Sequence, residues 1–220
     1  MLEQLLIWER DLFFTLNGSE SPFLDHFMYL FSGTKIWFPL AAFLLVILLY
    51  KKDWRQVLGL VIAIALTITL CDQFASGFCK PFFGRLRPTH HPDFMDEVKT
   101  VLGYRCGRYG FISSHAANAF GFAMLSCLLL RSWFFGTVMM LWAVTTAYTR
   151  VYLGVHFITD IVPGTIAGLF FGSLVYYAYQ KVWAKHLVSY TTRQKHLMAW
   201  GIIGSVLLLL LLTEPLIALY

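Results

Sequence analysis

From Val57 to Cys71 the chain runs VLGLVIAIALTITLC without one charged side chain. A stretch that long and that apolar satisfies its backbone only as a helix surrounded by lipid or by other helices. It belongs to a span expected over about 57–74, and further apolar runs occupy about 36–50, 113–130, 133–148, 157–179 and 197–213. The run at 36–50 is short for a crossing, so the residues before it are read as extending it. With 58% hydrophobic residues, 13% charged and a mean hydropathy of +0.66, the composition leaves the soluble range in both directions. The expected fold class is all-α, a polytopic transmembrane helix bundle of about six spans.

The opening MLEQLLIWERDLFF lacks the basic start, unbroken apolar run and small-residue cleavage site of a signal peptide. Leu2, Leu5, Leu6, Trp8, Leu12 and Phe13 instead form one helical face against Glu3, Gln4, Arg10 and Asp11, as in a helix lying in the membrane interface. Asn17-Gly18-Ser19 ends it, and Ser21-Pro22 can open a second amphipathic stretch to residue 31. Residues 1–35 are therefore read as interfacial helices, 57–180 as a catalytic core and 197–213 as an extra C-terminal span. All 220 residues form one membrane-embedded domain in this reading, without repeats of solenoid length.

The net charge of +5 does not point to nucleic acid, because the basic residues sit in short loops between apolar runs. Lys51, Lys52 and Arg55, then Arg131, then Lys181, Lys185, Arg193 and Lys195 mark one cytoplasmic side. The N-terminus, a long polar loop over about 75–112 and the turn after Arg150 then share the opposite face. That places the chain in the inner (cell) membrane with its polar clusters toward the periplasm or cell exterior. Cys71 and Cys127 read as small apolar fillers. Cys79 and Cys106 fall in the long loop, on the side where a disulfide persists, and are expected to pair. No CxxC or HExxH arrangement occurs, so neither a protein-bound metal nor another cofactor is implied.

Three polar clusters need a reason to exist in such a chain. In TRVYLGVHFITD, at 149–160, a helix beginning near Gly154 would put His156 and Asp160 on one face, so the carboxylate orients the imidazole. Gly154 offers a turn that could fold Arg150 back over that imidazole. In KPFFGRLRP, at 80–88, Lys80 and Arg87 are two helical turns apart; by itself the pair reads equally as an anion grip or a lipid-headgroup anchor. In FISSHAAN, at 111–118, Ser113 can cap a helix, Ser114 offer its N–H and His115 stand one step further in. Taken alone, that cluster is no more than a capped helix with an interfacial histidine. The order of spans brings all three to one membrane face. Fixed cations, helix-start amides and two histidines together suit phosphoryl transfer, where positioning and charge stabilisation do most of the work.

In that order the residues match KxxxxxxRP, the serine and histidine of PSGH, and SRxxxxxHxxxD, and the chain resembles the type 2 phosphatidic acid phosphatase family over about residues 57–180. Ile112, Ser114 and Thr149 depart from the pattern, and the Ser114 side chain stands where the family has none. The resemblance implies a metal-independent phosphatase with a phosphohistidine intermediate. It makes His156 the nucleophile, Asp160 its orienting carboxylate and His115 the proton donor and then base. Lys80, Arg87, Ser113, Ser114 and Arg150 become phosphate-binding residues. The implied partners are the bilayer and a lipid phosphate substrate: undecaprenyl diphosphate, a lipid A phosphate, phosphatidylglycerol phosphate or phosphatidic acid. A lipid phosphotransferase with the same intermediate is the alternative. An anion transporter fits less well, since the mid-span segments are nearly uncharged. Arg85, Arg105, Arg108, His90 and His91 read as solvated loop residues, with recruitment of an anionic headgroup as the alternative.

Overall fold

The computed structural model describes residues 2–219, which are helical with no strands. Helix α1 (Leu2–Leu16) leads into α2 (Pro22–Ser32), capped by the Ser21 hydroxyl, which accepts from the Leu24 N–H, with Pro22 in the first turn where a missing donor is harmless. After one tight turn, α3 (Phe38–Leu49) runs off at 74° to α2. Helix α4 (Trp54–Asp72) opens on a capping box of Asp53 and Gln56 and does not stop where the sequence turns polar. It widens into a π-helical stretch, Gln73–Cys79, and continues as α5 (Lys80–Phe83). The loop expected from residue 75 therefore begins only at Gly84, whose left-handed backbone (φ +57°) ends the rod. Helices α6 (Ser114–Leu130), α7 (Trp133–Tyr152), α8 (Ile158–Val182) and α9 (Thr192–Ile217) complete the bundle.

Helix α6 is the central strut, packed on α4, α7 and α8, while α9 closes against α2, α3 and α7. The α6–α8 contact is the most intimate, because Gly164, Gly168 and Gly172 put the bare backbone of α8 against that of α6. Three described stretches are long and apolar enough to cross a membrane: Trp54–Phe83, Ile158–Val182 and Thr192–Ile217; the bent pair α2–α3 makes a fourth if it counts as one span. The expected six is not reached on length and apolarity alone. Helix α6 has 17 residues and α7 carries the buried Arg150, and α6 is sheltered by its neighbours rather than by lipid.

At one end of the bundle Lys52 donates to Ser189 O, Trp183 Nε1 to Arg55 O (2.8 Å) and Arg131 to Tyr176 Oη (2.7 Å), which gathers the basic loops. At the other end α1 lies across the start of α8, with Phe13 buried edge-on to Phe157 at 5.3 Å. Leu6, Ile7 and Trp8 remain 52%, 56% and 54% exposed, as an interfacial helix requires. The side chains of Leu2, Glu3 and Leu5, part of the same expected amphipathic pattern, lie outside the described residues.

Candidate active site

Gly154, at φ +75°, reverses the chain between α7 and α8, and the N–H groups of Val155 and His156 both donate to Arg150 O at 3.0 and 3.1 Å. His156 therefore stands in the turn rather than on a helix, which corrects the expected start near Gly154. Helix α8 begins only at Ile158. Its first-turn Asp160 reaches back, Oδ2 accepting from Phe157 N at 3.1 Å and meeting His156 Nδ1 at 3.2 Å. Both side chains are fully buried.

Arg87 settles the tautomer of that histidine. Its NH1 lies 3.0 Å from His156 Nε2, and a guanidinium can only donate, so Nε2 carries a lone pair and the proton sits on Nδ1 toward Asp160. Burial first, then the charges of Arg87, Arg150, Lys80 and Arg85, hold the His156 pKa well below its usual value. The imidazole is neutral in the fold, whereas in the unfolded chain it takes a proton below about pH 6.5. The unfolded state then binds more protons, so stability should fall as pH drops through that value, by up to about 1.4 kcal/mol per pH unit. His156→Gln removes that contribution. Thermal unfolding in detergent at about pH 7.5 and 5.5 should show a larger acid loss for the wild type than for the variant, and equal losses would refute a buried neutral His156.

Arg87 touches Nε2, and Lys80 and Arg150 add their charges to the same region. Lys80 Nζ donates to Ser76 Oγ and Ser114 Oγ, each at 3.0 Å, and Ser76 in turn donates to Asp72 Oδ1 at 3.2 Å. The Ser114 hydroxyl, absent from the family pattern, thus steadies the lysine. Arg87 also binds Tyr109 O through Nε (3.0 Å) and Val155 O through NH1 (3.1 Å). Arg150 is fully buried, donating to Ser32 Oγ, to Tyr104 Oη (3.1 Å) and to Cys106 Sγ (3.2 Å). Two expectations change here. Lys80 and Arg87 do not share a helix face, because the helix ends at Phe83 and Gly84 turns the chain; and Arg150 points toward α2 and the loop instead of lying over the imidazole. Among the described residues no carboxylate lies within ion-pair distance of Lys80, Arg87 or Arg150. Buried cations without a counter-charge are unfavourable until an anion joins them.

Ser113 caps α6, its hydroxyl accepting from Ala116 N at 3.4 Å, while its own N–H donates to Asp160 O at 3.0 Å and locks the starts of α6 and α8 together. His115, the second residue of α6, lines a cavity of about 390 Å³ with Asp72, Ser114, Asn118, Phe31, Trp37 and Trp142. Arg105 and Arg108 are exposed loop residues, as expected, but Arg85 is not solvent-held: it bridges Asp160 Oδ1 (2.9 Å) and Glu9 (2.5 Å). Glu9 carried no signal of its own, being one more charge on an amphipathic helix. The expected Cys79–Cys106 disulfide is absent. Cys79 is a free thiol buried beside Cys71, Ala75 and Ile112, whereas Cys106 is engaged with Tyr104 and Arg150, so the two belong to different packing clusters.

The sequence model of the PAP2 superfamily matches residues 56–184. The chain is 47% identical to the lipid A 4'-phosphatase of Porphyromonas gingivalis over 180 residues, 81% of this chain and 75% of that protein. It is 44% identical to the lipid A 4'-phosphatase of Bacteroides thetaiotaomicron over 186 residues, covering 84% and 83%. The crystal structure of Aquifex aeolicus LpxE is similar at a TM-score of 0.54 and 27% identity, over 75% of this chain and 92% of that one.

Proposed function

The chain belongs to the PAP2 superfamily, and from that membership we propose that it removes a phosphate ester from a lipid A-type saccharide lipid through a phosphohistidine on His156. It is a membrane phosphoric ester hydrolase. The observation that carries the mechanism is a neutral imidazole whose Nε2 lone pair faces Arg87, with Lys80 and Arg150, likewise outside ion-pair distance of any described carboxylate, adding their charges to it. A phosphate completes the charge, displaces the Arg87 donor from Nε2 and presents phosphorus to the nitrogen.

The negative charge of the bound phosphate lets His115 take up a proton with the substrate; Nε2 attacks phosphorus, the bond to the leaving oxygen breaks, and His115 gives that oxygen the proton. Asp160 stabilises the positive charge that His156 acquires. In the second step His115 takes a proton from water, the oxygen attacks phosphorus, the P–N bond breaks and inorganic phosphate leaves. His156 returns to its starting tautomer. Lys80, Arg87, Arg150 and the Ser114 N–H hold the non-bridging oxygens throughout, with Ser113 fixing the helix start from which that N–H projects.

The substrate assignment rests on two relatives, at 47% and 44% identity, both named lipid A 4'-phosphatase. The cavity beside His115 favours the same class. Its walls mix aromatic side chains with Ser32, Thr34, Asp72 and Thr146, and Asn118 Oδ1 and Trp142 Nε1 are buried without a partner among the described residues. A saccharide supplies the hydroxyl and amide groups that would satisfy them, and a polyprenyl chain does not. The basic loops gathered at the opposite end support a site facing the periplasm or cell exterior of the inner membrane.

The test is a panel of lipid A, undecaprenyl diphosphate, phosphatidylglycerol phosphate and phosphatidic acid, given to purified protein in lipid discs with excess chelator. Phosphate release should survive chelation, favour lipid A by about tenfold or more, and leave a product that keeps its other phosphate by mass spectrometry. Loss of turnover in chelator would overturn the mechanism; faster release from the polyprenyl substrate would overturn the assignment.

A further inference from the structure

We propose that α1 is a positioning element for the nucleophile: Glu9 anchors Arg85, Arg85 holds the outer oxygen of Asp160, and the inner oxygen is thereby kept on His156. The proposal rests on the assignment of His156 as nucleophile and deepens it. Asp160 has its two oxygens on separate duties. Oδ2 faces His156 Nδ1 at 3.2 Å and Phe157 N at 3.1 Å, while Oδ1 accepts from Arg85 NH1 at 2.9 Å. Fixing both oxygens removes the rotation that would otherwise let the carboxylate leave the imidazole.

Arg85 is itself fixed from three sides. NH2 donates to Glu9 Oε2 at 2.5 Å, NH1 also donates to Thr159 Oγ1 at 2.6 Å, and the guanidinium lies over the Phe157 ring at 4.7 Å. The Thr159 hydroxyl donates to the other oxygen of Glu9, so helix α8 and Arg85 share one carboxylate. Glu9 is only 6% exposed although its helix neighbours Leu6, Ile7 and Trp8 face outward. A carboxylate is not buried in a membrane interface without a partner of this kind.

Charge explains why two carboxylates are used. A lone Arg85 beside Lys80, Arg87 and Arg150 would be drawn to the bound phosphate as a fourth cation. Glu9 and Asp160 neutralise it and keep it out of the phosphate shell. Glu9 also lies outside residues 56–184, the stretch that the superfamily's model describes, and Arg85 is not one of the motif positions behind the resemblance. Glu9 and its helix are thus an addition to the matched core, in which Arg85, Thr159 and Asp160 lie. The helix's outer face, Leu6 to Trp8, is the part of α1 that a bilayer takes up, which ties membrane docking of α1 to alignment of His156.

Steady-state kinetics on the full-length protein in lipid discs decide it, with Glu9→Gln, Arg85→Gln, Arg85→Lys and the double Glu9→Gln/Arg85→Gln compared with wild type and His156→Ala. Arg85→Gln should lower kcat about a hundredfold, with KM and inhibition by inorganic phosphate within about twofold. Arg85→Lys should recover about tenfold of that loss. Glu9→Gln should lower kcat about tenfold and add little to Arg85→Gln, because both act through one chain of contacts. A pin that only held α1 in place would lower thermal stability with kcat unchanged, and an Arg85 that bound phosphate would lose phosphate inhibition instead; either result overturns the proposal. If Arg85→Gln does not fold, the near-isosteric Glu9→Gln and the charge-keeping Arg85→Lys decide by the same split. An inactive wild type or an active His156→Ala would instead refute the phosphohistidine reading, so the two failures are distinguishable.

Discussion

His156→Ala is expected to abolish turnover, lowering kcat by about four orders of magnitude or more, while inorganic phosphate still binds within a few-fold of wild type. The asymmetry follows from the geometry. Lys80, Arg87 and Arg150 take their main contacts from Ser76, Ser114, Tyr109, Val155, Tyr104 and Ser32, so their scaffold survives loss of the imidazole. What disappears is the Nε2 lone pair, and the remaining site offers no second nucleophile at that place. His115→Ala should behave differently. A leaving group that needs no proton, such as p-nitrophenolate, should restore most of the phosphorylation step in that variant, so labelled phosphoenzyme accumulates in a rapid quench. The same substrate should not rescue His156→Ala. Phosphoenzyme in His156→Ala, or none in His115→Ala with the activated substrate, would exchange or remove the roles.

The site residues were legible because of where they are. In a chain this apolar, each of Lys80, Arg87, Arg150, His156 and Asp160 must find partners inside the fold, and the order of the spans, more than any single spacing, brings them to one membrane face. The partners themselves were not legible. Arg85 meets Glu9 across 76 positions of sequence, and nothing local separates this glutamate from the solvated charges beside it. The left-handed turn at Gly84, which brings Arg87 around to His156, overrode the simple two-turn spacing from Lys80. Other signals were present in the sequence but lay outside a search for charge. Phe74, Phe78 and Phe82 recur every fourth position and stack in series at 5.9 and 5.5 Å, the mark of the helix running on through Ser76 and Gly77. The glycines at 164, 168 and 172 keep the same spacing, and they set the distance on which the site depends.

Gly168→Leu should therefore damage the enzyme severely, although residue 168 lies two turns down α8 from Asp160. A Cβ at 168 would stand 2.4 Å from Ala117 O and 2.9 Å from Gly121 N, both backbone atoms of α6 that no rotamer can move aside. The two helices must separate, and the Ser113 N to Asp160 O bond of 3.0 Å is the contact between their starts that stretches first. Ser113, Ser114 and His115 ride on α6, and Asp160 rides on α8 beside His156. Displacement by about 1 Å is enough to lower kcat a hundredfold or more. Overpacking and lost contacts should together remove about 3 kcal/mol of stability, read as a fall in the midpoint of thermal unfolding in detergent. Gly204→Leu is the matched control, because a Cβ at 204 meets nothing within 4 Å. If Gly168→Leu kept the activity and midpoint of Gly204→Leu, close approach of the α6 and α8 backbones could not be what holds the phosphate chamber in register.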